Sequence, residues 1–286
     1  MEMKGNKMSE TGHAYTPEEL KRMQNIGLEM LIEVDRICRK HGIIYEIDGG
    51  TLLGAVRNKK FIPWDDDVDI RMMQDEYEKL REVCKTELDH DRFFFQDCET
   101  DPGYRFGYGK IVRKGTTFYR VGQDMLTMKR GVFLDIFNCV GMPQNPILKK
   151  KFNISCFIAR KIGYSPIGAA NEKNPFYRCL YRLLSKIPME SLRKKYHKLN
   201  HKYDKVKTKY VRTPGWHYTQ EDDGYLRRWM DETCELEFEG HMFIAPKDYD
   251  GYLRQLYGDD YMTPPPKEKQ VPEIMASKFD LGDCGL

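Results

Sequence analysis

The chain has 286 residues, of which 40% are hydrophobic and 32% are charged, and its formal net charge is +3. This length suits one large domain or a domain with a substantial insert, and the composition is typical of a soluble globular protein. No apolar run reaches the roughly 18 residues that a membrane span needs. Residues 1–13 are polar and lack a signal-peptide core, so we expect a cytoplasmic protein.

The distributions of cysteines and of charged residues narrow the class of protein further. The eight cysteines are scattered and form no C-x-x-C pair, which predicts reduced packing residues and no zinc site. Lys and Arg number 18 against 3 acidic residues in the segment 146–212, whereas the rest of the chain has a net charge of −12. This asymmetry sets the basic segment apart from the rest of the chain.

The chain opens with residues 1–14, for which we expect disorder. A capping box with proline at the first helical position then predicts a helix from Thr16 to Gly42. Residues 43–47 predict a strand, and Gly49-Gly50 predicts a sharp turn into a short helix at 51–57. Strand, glycine turn and helix N-terminus together are typical of a phosphate site, because free N–H groups and the helix dipole face the anion.

A cluster of acids follows closely, in Asp65-Asp66-Asp67-Val68-Asp69. Alternate side chains share one face of a strand, so Asp67 and Asp69 point the same way if the strand starts by Asp67. Asp65 joins them if the extended conformation reaches back that far. Converging carboxylates repel one another, and a hard divalent cation removes that penalty. A solvated acidic turn is the alternative, which the apolar alternation around the acids disfavours.

The next part of the chain predicts a helix at 74–88, a meander of strands at 92–98, 104–113 and 116–121, and a further strand at 131–140 that carries Asp135. Sequential strands usually lie near one another, so we expect Asp135 to reach Asp67 and Asp69. A lone aspartate in an apolar strand needs a partner. The alternative is a core aspartate that is hydrogen-bonded for structural reasons.

The basic segment predicts helices at 147–162, 175–187 and 190–210, with a loop at 163–174. Residues 235–244 alternate in polarity around Glu239-Gly240 and predict a β-hairpin. A helix at 247–256 and an extended tail from Pro264 follow. We therefore divide the chain into a disordered N-terminus (1–14), a core (15–145), the basic helical segment (146–212) and a C-terminal part (213–286) that completes the core.

The stretch GGTLLGAVRNKKFIPWDDDVDI, residues 49–70, resembles the core motif of the LicD/fukutin-related family, which has the nucleotidyltransferase fold. That fold combines a glycine turn, Asp-x-Asp on the next strand and a third acid on a later strand. Gly49-Gly50-Thr51, Asp67-Val68-Asp69 and Asp135 match these positions, and residues 249–266 also resemble the family. The resemblance implies an α+β fold, with a nucleotidyltransferase-like mixed sheet flanked by helices and a basic helical insert.

The resemblance also implies a metal-dependent transferase. It would move a phospho-alcohol group, with phosphocholine the first choice, from a CDP-activated alcohol to a hydroxyl of a cell-surface glycan or teichoic-acid-type precursor, releasing CMP. Mg²⁺ or Mn²⁺ would be held by Asp65, Asp67, Asp69 and Asp135. Asp67, Asp69 and Asp135 would be catalytic, and Asp135 would be a metal ligand or the base for the acceptor hydroxyl. The candidate contacts to the donor phosphates are Gly49, Gly50, Thr51, Arg57 and Lys110.

Two alternative functions stay open. Asp-x-Asp also serves metal-dependent glycosyltransferases with sugar-nucleotide donors, and the basic segment would suit a non-catalytic module that binds an anionic surface. Within an enzyme, residues 146–212 would suit peripheral contact with the inner face of a membrane or with a lipid-linked acceptor, because basic and aromatic residues are mixed there. A solvated helical cap is the alternative for this segment. We expect no nucleic-acid partner.

Overall fold

A mixed sheet forms the centre of the protein in the computed structural model, which describes residues 12–216 and 224–283. Its spatial order is β1 (Glu46–Ile47), β2 (Asp69–Met73), β6 (Phe133–Met142), β4 (Gly109–Arg113) and β3 (Phe93–Gln96). From the end of β6 the sheet continues through β7 (Tyr210–Arg212) to β8 (Tyr225–Leu226). Strands β2 and β6 are parallel, and the other neighbours are antiparallel. With the flanking helices this confirms the predicted α+β class.

Three helices of the core contact this sheet. Helix α1 (Pro17–His41) and helix α3 (Gln74–Glu87) contact β6, and α2 (Gly49–Asn58) contacts β2. The predicted capping box is confirmed, since the Thr16 hydroxyl accepts from the Glu19 N–H and Gly42 ends α1 with φ 61°. The apolar side of α1, including Ile26, Met30 and Val34, is buried in the main core.

Several predictions about strands and about the tail were wrong in detail. Strand β2 begins at Asp69 and not at Asp67, and β1 covers two residues of the predicted 43–47. The meander ends after β4, because β6 takes the place beside β4 and β5 (Thr117–Arg120) pairs with β11 (Ala276–Asp280). The tail after Pro264 is therefore not simply extended: it contains a 3₁₀ turn at Lys267–Lys269 and this strand.

The basic segment folds into α4 (Pro146–Asn171), α5 (Pro175–Leu184) and α6 (Met189–Asn200). The predicted loop at 163–174 was wrong, because α4 continues through Pro166. Proline leaves the carbonyl four residues earlier without its usual helical donor. Here the Ile162 carbonyl accepts from the Ser165 hydroxyl at 2.6 Å and from Arg105 at 3.4 Å, which compensates the loss. The third predicted helix was too long, since α6 ends at Asn200.

The hairpin and the helix predicted before the tail are confirmed. Helix α7 (Arg228–Asp231) leads into a hairpin of β9 (Thr233–Phe238) and β10 (His241–Pro246), and α8 (Tyr249–Tyr257) follows. The hairpin turns at Glu239 and Gly240, both with positive φ, as a two-residue type I′ turn requires.

The two ends of the described chain meet. Residues 1–11 of the predicted disordered N-terminus lie outside the described residues. For the residues that follow, the prediction of disorder is wrong, because the His13 N–H donates to the Ala276 carbonyl at 2.7 Å.

Cysteines in the described ranges are free thiols, as predicted. Within the same ranges, each helix is too short or too polar to cross a membrane.

Candidate active site

The N-terminus of α2 is the first component of the site. An α-helix leaves the N–H groups of its first turn without intrahelical partners, and Asp48, at the N-cap, makes no side-chain capping bond. The Asp48 carboxylate instead accepts from the Tyr252 hydroxyl, while its N–H donates to the Asp69 carbonyl at 2.9 Å. The N–H groups of Gly49, Gly50 and Thr51 consequently remain available to an anion.

Two carboxylates pack directly onto this helix start. A Cβ added to Gly50 would lie 2.5 Å from Asp65 Oδ2, and a Cβ added to Gly49 would lie 2.8 Å from Asp69 Oδ2. Gly49 also has φ +54°, which disfavours any side chain. Glycine is therefore required at both positions for the acids to approach the helix so closely.

The third predicted acid lies beside the second. Asp69 on β2 and Asp135 on β6 are register partners in the parallel pair, and the Asp135 N–H donates to the Val68 carbonyl at 2.9 Å. Neighbouring strands are about 4.8 Å apart, and register partners place their side chains on the same face. The expected meeting of Asp69 and Asp135 is thus confirmed, although these residues are more than sixty positions apart in the chain.

The acids of the loop before β2 form a cluster of their own. One carboxylate oxygen each of Asp65, Asp66 and Asp67 lies within 4.8 Å of the others. Asp66 is engaged elsewhere, because its carboxylate accepts from the N–H groups of Glu273 and Ile274 in the tail. Asp65 Oδ2, by contrast, is buried without a hydrogen-bond partner.

Crowding and burial disfavour the charged forms of these acids. Burial, followed by the charge of Asp66, raises the pKa of Asp65 to about 7, and burial raises the pKa of Asp66 to about 6. Burial and neighbouring carboxylates raise the pKa values of Asp67 and Asp69 well above the usual range. So many carboxylates can ionise together only beside a positive charge.

A hard divalent cation fits the carboxylates clustered beside the start of α2. Mg²⁺ prefers carboxylate oxygens and usually takes one or two of them, leaving room for substrate phosphates. The buried, unpaired Asp65 oxygen and the clustered carboxylates offer such ligands next to an anion-binding helix start.

Lys110 supplies a positive charge on the side of Asp135 that faces away from Asp69. It is the antiparallel register partner of Asp135, and its ammonium donates to the Asp135 carboxylate. The pair is buried, and Lys110 Nζ lies 3.3 Å from the centroid of the Phe133 ring. Burial lowers the pKa of Lys110, although Asp135 counters that effect. A phosphate contact by Lys110 stays a prediction, but its place at the site makes that contact geometrically reasonable.

The cleft beside Lys110 is both basic and aromatic. Its walls include Phe118 and Phe133 together with Arg120, Lys129 and Arg130. The cavity between these walls is about 30 Å³, room for one or two water molecules, so it does not accommodate a nucleotide in this conformation.

Arg57 does not join the acids. It lies near the far end of α2, about 10 Å along the helix axis from Gly50. Its guanidinium donates to the backbone carbonyls of Tyr261 and Thr263. Arg57 therefore holds the C-terminal tail against α2, and its assignment as a phosphate contact stays a prediction.

Sequence reasoning missed a buried network behind the helix start. Arg71 Nε donates to Glu46 Oε2 at 3.0 Å, and the Arg71 guanidinium stacks 3.7 Å from the centroid of the Tyr252 ring. Tyr252 in turn holds Asp48. Burial raises the pKa of Glu46 to about 8. An arginine within an otherwise apolar strand was the available signal, because a buried charge needs a partner.

Replacing Arg71 with alanine is expected to destabilise the protein by about 3–5 kcal/mol, because it leaves Glu46 buried without its partner. Urea unfolding at neutral pH would measure this change. Arg254→Ala is the matched control, since Arg254 and its partner Asp250 are both about half exposed, at 46% and 53%, and exposed pairs contribute about 0–1 kcal/mol. Equal losses for the two variants would contradict the assigned importance of the network.

Residues 42–146, which contain the glycine turn and all of the predicted acids, match the family model described as LicD/FKTN/FKRP, nucleotidyltransferase domain. The match covers 105 residues, just over a third of the chain. The chain is also similar to the lipopolysaccharide cholinephosphotransferase LicD of Haemophilus influenzae, which is 29% identical over 272 residues, or 92% of this chain and 98% of that protein.

Two shorter similarities are also found. Uncharacterised proteins of Rickettsia prowazekii and Rickettsia typhi are 38% and 42% identical over 55 and 48 residues. The matched segments cover 21% and 16% of those proteins, so they indicate a shared part and not a shared whole. The LicD similarity, in contrast, covers 92% of the chain and therefore extends through the basic segment into the C-terminal part.

Proposed function

We propose that the chain belongs to the LicD family and is an enzyme that transfers phosphocholine to a hydroxyl of a glycan precursor. The observation that carries the proposal is the contact of Asp65 and Asp69 with the positions where Gly50 and Gly49 lack side chains. An anion-binding helix start and a cluster of carboxylates thereby share one point, which suits a metal-bound phosphate group. The end-to-end similarity to a lipopolysaccharide cholinephosphotransferase supports the choice of phosphocholine and of a glycan acceptor.

The proposed donor is CDP-choline, and the proposed metal is Mg²⁺ or Mn²⁺. When bound by Asp65, Asp67, Asp69 and Asp135, the metal would neutralise charge that develops on the leaving phosphate. The N–H groups of the first turn of α2 would hold a phosphate oxygen. Lys110 would contribute a second positive charge beside Asp135.

The proposed reaction is a displacement at phosphorus. The acceptor hydroxyl oxygen forms a bond to the phosphorus that carries choline, and the bond between this phosphorus and the CMP oxygen breaks. CMP leaves with the electron pair of that bond, and the hydroxyl proton passes to a base. Asp135 is the candidate base if it is not a metal ligand, and Lys110 would then keep its carboxylate oriented. A lipid-linked glycan or a teichoic-acid-type polymer would serve as the acceptor.

The donor can be tested with purified protein and a panel of CDP-alcohols and UDP-sugars. CDP-choline should give the fastest release of nucleotide in the presence of Mg²⁺, detected as CMP, with faster release when a glycan acceptor is added. UDP release from a sugar nucleotide would instead establish a glycosyltransferase. A lack of turnover with every donor, in protein shown to bind no nucleotide by calorimetry, would favour a non-catalytic binding module.

A further inference from the structure

Helix α5 turns its apolar side toward solvent. Phe176, Leu180 and Leu183 recur at helical spacing and are 73%, 43% and 59% exposed. The residue of α5 that is buried is Tyr181, which packs on α4 at Gly168, where an added Cβ would lie 2.4 Å from the Tyr181 ring. An amphipathic helix of a globular protein ordinarily buries its apolar side. In the described structure, α5 leaves most of its apolar side exposed to solvent.

The exposed apolar surface continues onto α4. Ile147, Ile154 and Phe157 lie along one side of α4 and are 64%, 49% and 51% exposed. Lys161 joins the two helices, because its ammonium lies 5.4 Å from the centroid of the Phe157 ring and donates to the Tyr181 hydroxyl at 3.0 Å. We call the six exposed apolar side chains the α4–α5 stripe: Ile147, Ile154 and Phe157 of α4, and Phe176, Leu180 and Leu183 of α5.

The charge around the α4–α5 stripe is almost entirely positive. Residues 146–186 contain nine Lys and Arg and one acid, Glu172. Three of the lysines, Lys149, Lys150 and Lys151, are close to the N-terminus of α4, and its first turn contains no acid. Cations are unfavourable at a helix N-terminus because of the helix dipole. The helix dipole therefore does not account for their presence there.

We propose that the α4–α5 stripe binds the surface of an anionic lipid bilayer. Aromatic and aliphatic side chains on exposed helix faces can enter the interface between head groups and acyl chains, while adjacent Lys and Arg contact lipid phosphates. Charge complementarity favours this occupant, because each basic residue near an anionic membrane adds to binding. The helices would lie on the membrane and not cross it.

Vesicle flotation with the full chain tests the proposal. Binding should be strong to vesicles of phosphatidylglycerol and phosphatidylcholine at low salt, weak to phosphatidylcholine alone, and reduced by high salt. The double variant Phe176→Ser/Leu183→Ser should bind anionic vesicles about tenfold more weakly, since it removes two apolar side chains from the interface. Ile44→Ser/Met242→Ser is the matched control, because both side chains are 49% exposed and lie outside the α4–α5 stripe; it should bind as the unmodified protein does.

A charge variant completes the test. Lys149→Gln/Lys150→Gln/Lys151→Gln should bind anionic vesicles more weakly and with a smaller salt dependence, because it removes three of the nine basic residues. Circular dichroism should show unchanged folding, because every substituted side chain is exposed or at a helix end. Equal flotation with both lipids, no flotation with either, or full binding by Phe176→Ser/Leu183→Ser would overturn the proposal. So would a dimer that dissociates in that variant, which would make the stripe a contact between two copies.

Discussion

Replacing Asp69 with asparagine is expected to lower turnover at least about a hundredfold, because losing a metal–phosphate contact should cost several kcal/mol and each 1.4 kcal/mol is tenfold in rate. Asp67→Asn should behave in the same way. The measurement is CMP release from CDP-choline at saturating Mg²⁺. Asp91→Asn, in the exposed loop before β3, is the control for the substitution itself. Either site variant retaining more than a tenth of the unmodified rate would remove that residue from the catalytic assignment.

The same variants have a readout that does not depend on activity. Without metal, Asp69→Asn should melt at the same temperature as the unmodified protein or higher, since it removes one of several mutually repelling carboxylates. With Mg²⁺ at a hundred times its dissociation constant, the unmodified protein should gain about 2.7 kcal/mol. Asp69→Asn should gain little stability from the same concentration of Mg²⁺. Equal metal-induced shifts in the two proteins would mean that Mg²⁺ binds elsewhere.

Replacing Gly50 with valine is expected to weaken donor binding at least about tenfold, because the new side chain would occupy the approach of a phosphate to the helix start. The Cβ alone would lie 2.5 Å from Asp65 Oδ2, so the carboxylate must also move. Calorimetric titration with CDP-choline in the presence of Mg²⁺ measures the effect. Asn58→Val, an exposed position at the end of the same helix, is the matched control. Unchanged affinity in a folded Gly50→Val protein would reduce Gly50 to an ordinary turn residue.

The association of a donor site with a lipid-binding surface would have a practical consequence. If the acceptor is lipid-linked, the α4–α5 stripe would concentrate the protein where the acceptor is. Loss of vesicle binding in Phe176→Ser/Leu183→Ser should then impair transfer to a lipid-linked acceptor but spare turnover with a water-soluble acceptor. This difference separates a failure of membrane contact from a failure of the donor site.

Local interactions determined much of the fold in advance. The capping box and Gly42 bound α1, and the Glu239-Gly240 turn defines the hairpin, because each depends on a few adjacent residues. The glycine turn and the acids were also visible as a short motif. The tendency of sequential strands to lie close together led us to expect Asp135 near Asp69, but the meeting comes from the pairing of β2 with β6, which are separated in the chain by three other strands.

Only the tertiary structure decided which groups face one another. Nothing in the sequence distinguishes Asp66 from its neighbours, yet Asp66 accepts from the N–H groups of the tail while Asp65 faces Gly50. Lys110 became the partner of Asp135 because β6 inserts beside β4 and displaces β5 to the tail strand β11.

The basic segment shows the same limit of local patterns. Proline and glycine predicted a loop at 163–174, but Ser165 and Arg105 satisfy the carbonyl that Pro166 leaves free, so α4 continues. Helical periodicity gives α5 an apolar side without saying what covers it. Packing of Tyr181 on Gly168 orients the helix and leaves that side exposed. The sequence alone thus determined most of the helices and strands and the chemistry of their residues. Long-range packing determined which residues contact one another, because contacts between residues distant in sequence depend on the fold of the whole chain.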